Sequence, residues 1–227
     1  MFLLAAFIWH AKRKKENALI DLDLFNNKIF SNAAVTQFLT NGVIYAGQFL
    51  IPLFLINGFN LGATQVGWLL VPMGIGMMCI YPFMGVVTDR LGCRAVSMAG
   101  AALNVIGTLP FLWMAANGLS LPWTIAGLFL RGFGQGAVGI PTIAAAYSSV
   151  SRDKLGPATT AVNIVQRLGG PLATTGIAIA VYYSVAQVPL AHDFITPLVA
   201  LTILQLAVFA AASRLPIRIH QLKSDNC

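Results

Sequence analysis

A chain of 227 residues that is 57% hydrophobic and 9% charged cannot hide its apolar surface in one water-soluble core, since soluble domains carry roughly 25% charged residues. The formal net charge of +7 comes from short basic segments beside long uncharged runs, which argues against nucleic acid as a partner and makes the bilayer the solvent for most of the chain. The three cysteines have neither the pairing nor the spacing of a disulfide or zinc framework and read as structurally incidental.

Residues 1–9 are apolar but too short to span a bilayer, and the basic run Lys12, Arg13, Lys14, Lys15 follows them. A signal peptide has the reverse order, so 1–9 read as the remnant of a preceding transmembrane helix and 10–31 as a basic cytoplasmic linker and lead-in. Six apolar segments follow, at 32–56, 67–88, 95–116, 121–150, 158–185 and 194–214, each compatible with about 30 Å of hydrocarbon. The predicted fold class is therefore all-α, a polytopic membrane helix bundle over 32–214, with a tail at 215–227. If the odd spans run outward, every Lys and Arg except Arg131 and Arg167 falls on one side. By the positive-inside rule that side is cytoplasmic, which puts both termini inside a multi-pass protein of the cell (inner) membrane.

Between the second and third spans lies Gly85-Val86-Val87-Thr88-Asp89-Arg90-Leu91-Gly92-Cys93-Arg94. Its glycines permit a tight turn and close helix approach, while Asp89, Arg90 and Arg94 can pair with neighbouring helix ends. On spacing alone these charges need only cap and orient a hairpin. Within the spans, Gln37, Asn41, Tyr45 and Gln48 share one helical face, Arg131, Gln135 and Thr142 a second, and Asn163, Arg167 and Thr174 a third. Such residues can be interhelical hydrogen-bond glue, but three stripes together predict helices facing one wet cavity, with Arg131 and Arg167 near the midplane. Gly134, Gly136, Pro141, Gly169, Gly170 and Pro171 supply bends and close contacts, or ordinary membrane-helix packing.

Glu16, Asp21, Asp23, Asp89, Asp153, Asp193 and Asp225 all fall in loops or at helix ends, so an intramembrane proton carrier would have to come from elsewhere. His10, His192 and His220 are peripheral too. No phosphate-binding loop, metal cluster or nucleophile triad is present, which disfavours ATP-driven pumping and catalysis.

The G-x-x-x-D-R-x-G-x-R pattern resembles the cytoplasmic loop motif of the major facilitator superfamily. The segments Leu130-Arg131-Gly132-Phe133-Gly134-Gln135-Gly136 with Pro141, and 158–170, resemble the fourth and fifth spans in the second half of its fourteen-span drug:proton antiporters. Asp21-Leu22-Asp23-Leu24-Phe25 resembles that group's lead-in to its ninth span. The resemblance implies one six-helix half of a major facilitator fold, the carboxy-terminal half of a multidrug efflux permease. It further implies a proton gradient as energy source with no cofactor, an amphipathic small-molecule substrate, and an amino-terminal half or second copy as partner. Cys93 stands where a basic residue is common. The alternative is a non-transporting membrane protein, either a truncated product or an assembly or regulatory partner of another transporter.

Overall fold

The computed structural model describes residues 22–185 and 190–217. The expected helix remnant at 1–9, the basic run at 12–15 and the end of the tail lie outside the described residues.

A 3-10 turn at Leu22–Asn26 leads into α1, Lys28–Phe59. Asn27 caps α1: its Oδ1 accepts from the Ile29 amide at 2.9 Å and the Phe30 amide at 3.4 Å, and its Nδ2 donates to the Ser149 carbonyl at 2.8 Å. One asparagine thus satisfies helix-end donors and ties two helices together at one end of the bundle. The helix stops at Asn60, whose φ of 53° is left-handed, a conformation asparagine tolerates.

The second span runs from Ala63 to Leu91 and contains one 3-10 turn. Helices α2, Ala63–Ile80, and α3, Met84–Leu91, are joined by a 3-10 turn at Tyr81–Phe83, where the sequence pattern suggests one uninterrupted segment. Pro82 lacks an N–H and its ring displaces the preceding turn, so the α-ladder cannot run through. Gly92, at φ 86°, then turns the chain into α4, Cys93–Asn117. Three further helices complete the described residues: α5 at Leu121–Ser148, α6 at Leu155–Ser184 and α7 at Ile195–Ala212.

By length and composition, α1, the α2–α3 pair, α4, α6 and α7 can each cross a membrane. Helix α5 is as long, but Arg131, Gln135 and its glycines lower its hydropathy. It is held instead between α4, α2 and α1. Helix α6 lies on α1, and α7 closes the back of the bundle across α4 and α1. In their most apolar stretches α1 and α4 are 50% buried, whereas α2–α3 and α6 are 17% buried, so the latter two form the flanks.

Apolar clusters fasten both ends. At one end Phe54 meets Phe59, Phe111 and Phe194 edge-on at 5.1, 6.5 and 5.5 Å, joining α1, α4 and the 3-10 turn before α7. At the other, Leu24, Phe30 and a group of alanines from α5 and α6 pack around Cys93. Cys93 is thus no loop residue: it is the first residue of α4 and is fully buried. The lead-in is likewise part of the core, since Leu24 is buried and Phe25 packs edge-on against Phe30.

Candidate functional site

Arg131 sits in the middle of α5 with its side chain fully buried. Its Nη1 donates to the Thr108 Oγ1 of α4, and Gln205 of α7 donates its Nε2 to the same oxygen at 2.8 Å. The Thr108 hydroxyl donates in turn to the Asn104 carbonyl at 2.9 Å. A hydroxyl has one proton and two lone pairs, so three helices converge on one group whose capacity is fully used.

Gly47 makes room for the guanidinium, and Gly107 for the first carbons of the arginine stem. A Cβ at Gly107 would come within 2.9 Å of the Arg131 Cγ, and one at Gly47 of α1 would collide with Nη2. Gly47→Ala is therefore expected to lower the melting temperature, and adding Arg131→Met should largely restore it, because the clash disappears with the guanidinium. Thermal-shift measurements on the two single variants and the double variant check this; equal losses from Gly47→Ala in both backgrounds would refute it.

One turn along α5, Gln135 faces Thr40, Asn104 and Gln205 inside the bundle. Gln37 is also buried, with its Nε2 donating to the Gly139 carbonyl of α5 at 3.3 Å. The other stripe residues point elsewhere. Tyr45 is 52% exposed and Gln48 is exposed on α1, while Asn41 donates to the Gln37 carbonyl of its own helix. Asn163 donates to the Thr159 carbonyl at 2.9 Å and accepts from Gln166 at 2.8 Å, both within α6, and Arg167 is exposed.

The three stripes therefore do not converge on one cavity within the described residues. The α5 stripe turns inward toward α4 and α7, and the α6 stripe turns outward. Helical periodicity identifies which residues share a face but not which neighbour that face meets. Pattern reading also passed over Asn104, Thr108 and Gln205, the partners that Arg131 and Gln135 meet. The signals were present: Asn104 and Thr108 are an i, i+4 pair, and Gln205 is a lone amide in an otherwise apolar helix.

Gly47, Gln48, Ile51, Leu70, Met73 and Met77 line an open groove of about 320 Å³ between α1 and α2. Its lining is methionine and aliphatic side chains with the one amide of Gln48.

In the loop motif, Arg94 donates its Nε to the Leu215 carbonyl at 2.7 Å, tying the start of α4 to the chain just after α7. Asp89 and Arg90 are exposed at the end of α3. A Cβ at Gly85 would meet open space, so the turn rests on Gly92 and not on Gly85. Close helix contacts occur at Gly134 against the Gly100 carbonyl, Gly136 against Ile80, Gly169 against the Phe38 carbonyl and Gly170 against the Tyr45 ring. Pro141 lies inside α5 and is buried; Pro171 lies inside α6 and is exposed.

Comparison with known proteins agrees with this architecture. The family described as Major Facilitator Superfamily matches residues 1–174. The chain is 27% identical over 182 residues to the "Multidrug resistance protein B homolog" of Mycobacterium tuberculosis (strain ATCC 25618 / H37Rv), covering 80% of this chain and 34% of that protein. It is 27% identical over 156 residues to the "Colistin resistance protein EmrB" of Acinetobacter baumannii, covering 67% and 30% respectively. To the "Multidrug resistance protein Stp" of M. tuberculosis it is 24% identical over 187 residues, covering 82% and 34%. The chain thus spans about a third of the length of the curated relatives it matches. An all-helical bundle of membrane-crossing length that matches this family over most of its residues is an integral membrane protein, and the chain belongs to the major facilitator superfamily of transporters.

Proposed function

We propose that this chain is the carboxy-terminal six-helix bundle of a secondary-active multidrug efflux transporter, exporting amphipathic small molecules by alternating access in exchange for protons. The observation that carries this reading is Arg167. It lies 12 residues into α6, about 18 Å along the helix axis, yet is exposed on the flank of the bundle. A guanidinium at that depth faces water or protein, not acyl chains, so the α1–α6 face borders an aqueous cavity or a second bundle.

Alternating access takes two bundles moving about a central site, and the described residues supply one. The partner is an amino-terminal half or a second copy, with the α1–α2 groove and Tyr45, Gln48 and Arg167 facing the shared cavity. Among the described residues every acid lies near a helix end, so the proton-carrying carboxylate belongs to the partner bundle. Asp89 and Arg90 reach the partner's helix ends as a cytoplasmic latch, and Arg94 anchors that latch through Leu215. Both termini lie in the cytoplasm and the protein resides in the inner membrane.

The test is efflux of a fluorescent lipophilic dye from a pump-deficient bacterium expressing the chain alone, an amino-terminal half alone, or both. Efflux is expected only from the pair, and a protonophore should abolish it. Proton-dependent efflux by the chain in monomeric form would sink the half-transporter reading.

A further inference from the structure

Below the Arg131–Thr108–Gln205 junction lies an internal cavity of about 10 Å³, lined by Thr40 and Val43 of α1, Asn104 of α4, Gln135 and Val138 of α5 and Gln205 of α7. The three amide side chains are 5%, 3% and 1% exposed. Asn104 Oδ1, Gln205 Oε1 and both polar atoms of Gln135 are buried and make no hydrogen bond among the described residues. Three acceptors and one amide donor group from three helices therefore border a space the size of a single solvent molecule. Unmet buried amides are strongly disfavoured, and replacing each with an aliphatic group would have been the simpler packing solution.

The chemistry of the lining selects the occupant. An anion would meet three carbonyl oxygens. A metal cation or hydronium would lie close to the guanidinium of Arg131, which is held through Thr108 against Gln205, a wall of the cavity itself. Only a neutral molecule that both donates and accepts matches the set, and the volume limits it to one of water's size. We propose that this cavity is a binding site for one resident water molecule, which accepts from Gln135 Nε2 and donates to the amide oxygens of Gln205 and Asn104. The water is a second pin beneath the Thr108 hydroxyl. Together they bind α4, α5 and α7 into one block, against which α2 and α6 stand as separate flanks.

The test is a thermal double-mutant cycle on the full chain, purified in detergent, with a density map beside it. Val138→Ile places an extra methylene against the cavity. With a resident water, that substitution expels it, strands the amides and lowers the melting temperature by about 3 °C or more. In the Gln135→Met background the loss is much smaller, because the water has already lost one of its three partners, the only donor among them. A Val138→Ile variant that is as stable as the parent or more so overturns the proposal, as does an equal loss in both backgrounds, which is what simple overpacking gives. In a map at about 2 Å resolution, a peak is expected within about 2.7–3.2 Å of Gln135 Nε2 and Gln205 Oε1. No peak there, or one replaced by bromide after halide exchange, overturns it too.

Discussion

Arg131→Met is expected to leave the bundle folded, with a melting temperature at or above that of the parent, while reducing efflux by the reconstituted transporter more than about tenfold, a transition-state loss beyond about 1.4 kcal/mol. The stability half of this result follows from electrostatics. The guanidinium is fully buried, and its Nε and Nη2 find no acceptor among the described residues. Exchanging a buried charge for an unbranched apolar side chain of similar length is often neutral or stabilising. Thr108 keeps a donor in Gln205, so no hydroxyl is stranded. The functional half follows from position. The side chain passes between Gly107 and Gly47 and holds α5 against α4 and α1, the helix that walls the groove. Its removal breaks the Thr108 link between α5 and α4 and takes a permanent positive charge out of the bundle centre. Thermal shift and dye efflux on the same preparation separate the two effects. Unchanged transport would remove Arg131 from the mechanism.

Gly132→Ala carries the largest expected stability loss, more than about 2 kcal/mol, seen as failure of the variant to accumulate in the membrane. At Gly132 the added Cβ would fall on the carbonyl group of Met73, so two backbones, α5 and α2, must separate. No rotamer change relieves a collision with backbone. Gly169→Ala meets the Phe38 carbonyl in the same way and should prise α6 from α1. Gly139→Ala and Gly176→Ala are the internal controls, since a Cβ at either site meets nothing within 4 Å. In a helix they should be neutral or stabilising by up to about 1 kcal/mol. Membrane abundance and melting temperature of the four variants give the comparison, and a well-folded Gly132→Ala variant would show that the α2–α5 contact is looser than its geometry.

The helical class was legible because every apolar run is long and nearly free of charge, and the family because its motifs recur in order. What escaped is what depends on neighbours. Pro82 is visible in the sequence, but its effect, one 3-10 turn inside a span that still runs from Ala63 to Leu91, is too local for apolar content to register. Asn27 and Leu24 read as linker because their roles, a cap on α1 and a place in the apolar cluster, exist only once α5 and α6 are adjacent. Arg131 was identified as exceptional from its cost in a membrane. Its partners Thr108 and Gln205 were not, since a threonine in a membrane helix is ordinary until a guanidinium arrives beside it. Arg131 and Arg167 look equivalent along the chain, yet one is fully buried and the other exposed.

The 3-10 turn in the second span and the turn at Gly92 bracket Asp89 and Arg90 of the loop motif. Helix α3 is eight residues long, set between the 3-10 turn at Tyr81–Phe83 and Gly92, and beyond Gly92 the chain is clamped by Arg94 to the Leu215 carbonyl. Met84 and Thr88 are buried against α4 and α5, so Asp89 and Arg90 project from a short helix whose other face is held in the bundle.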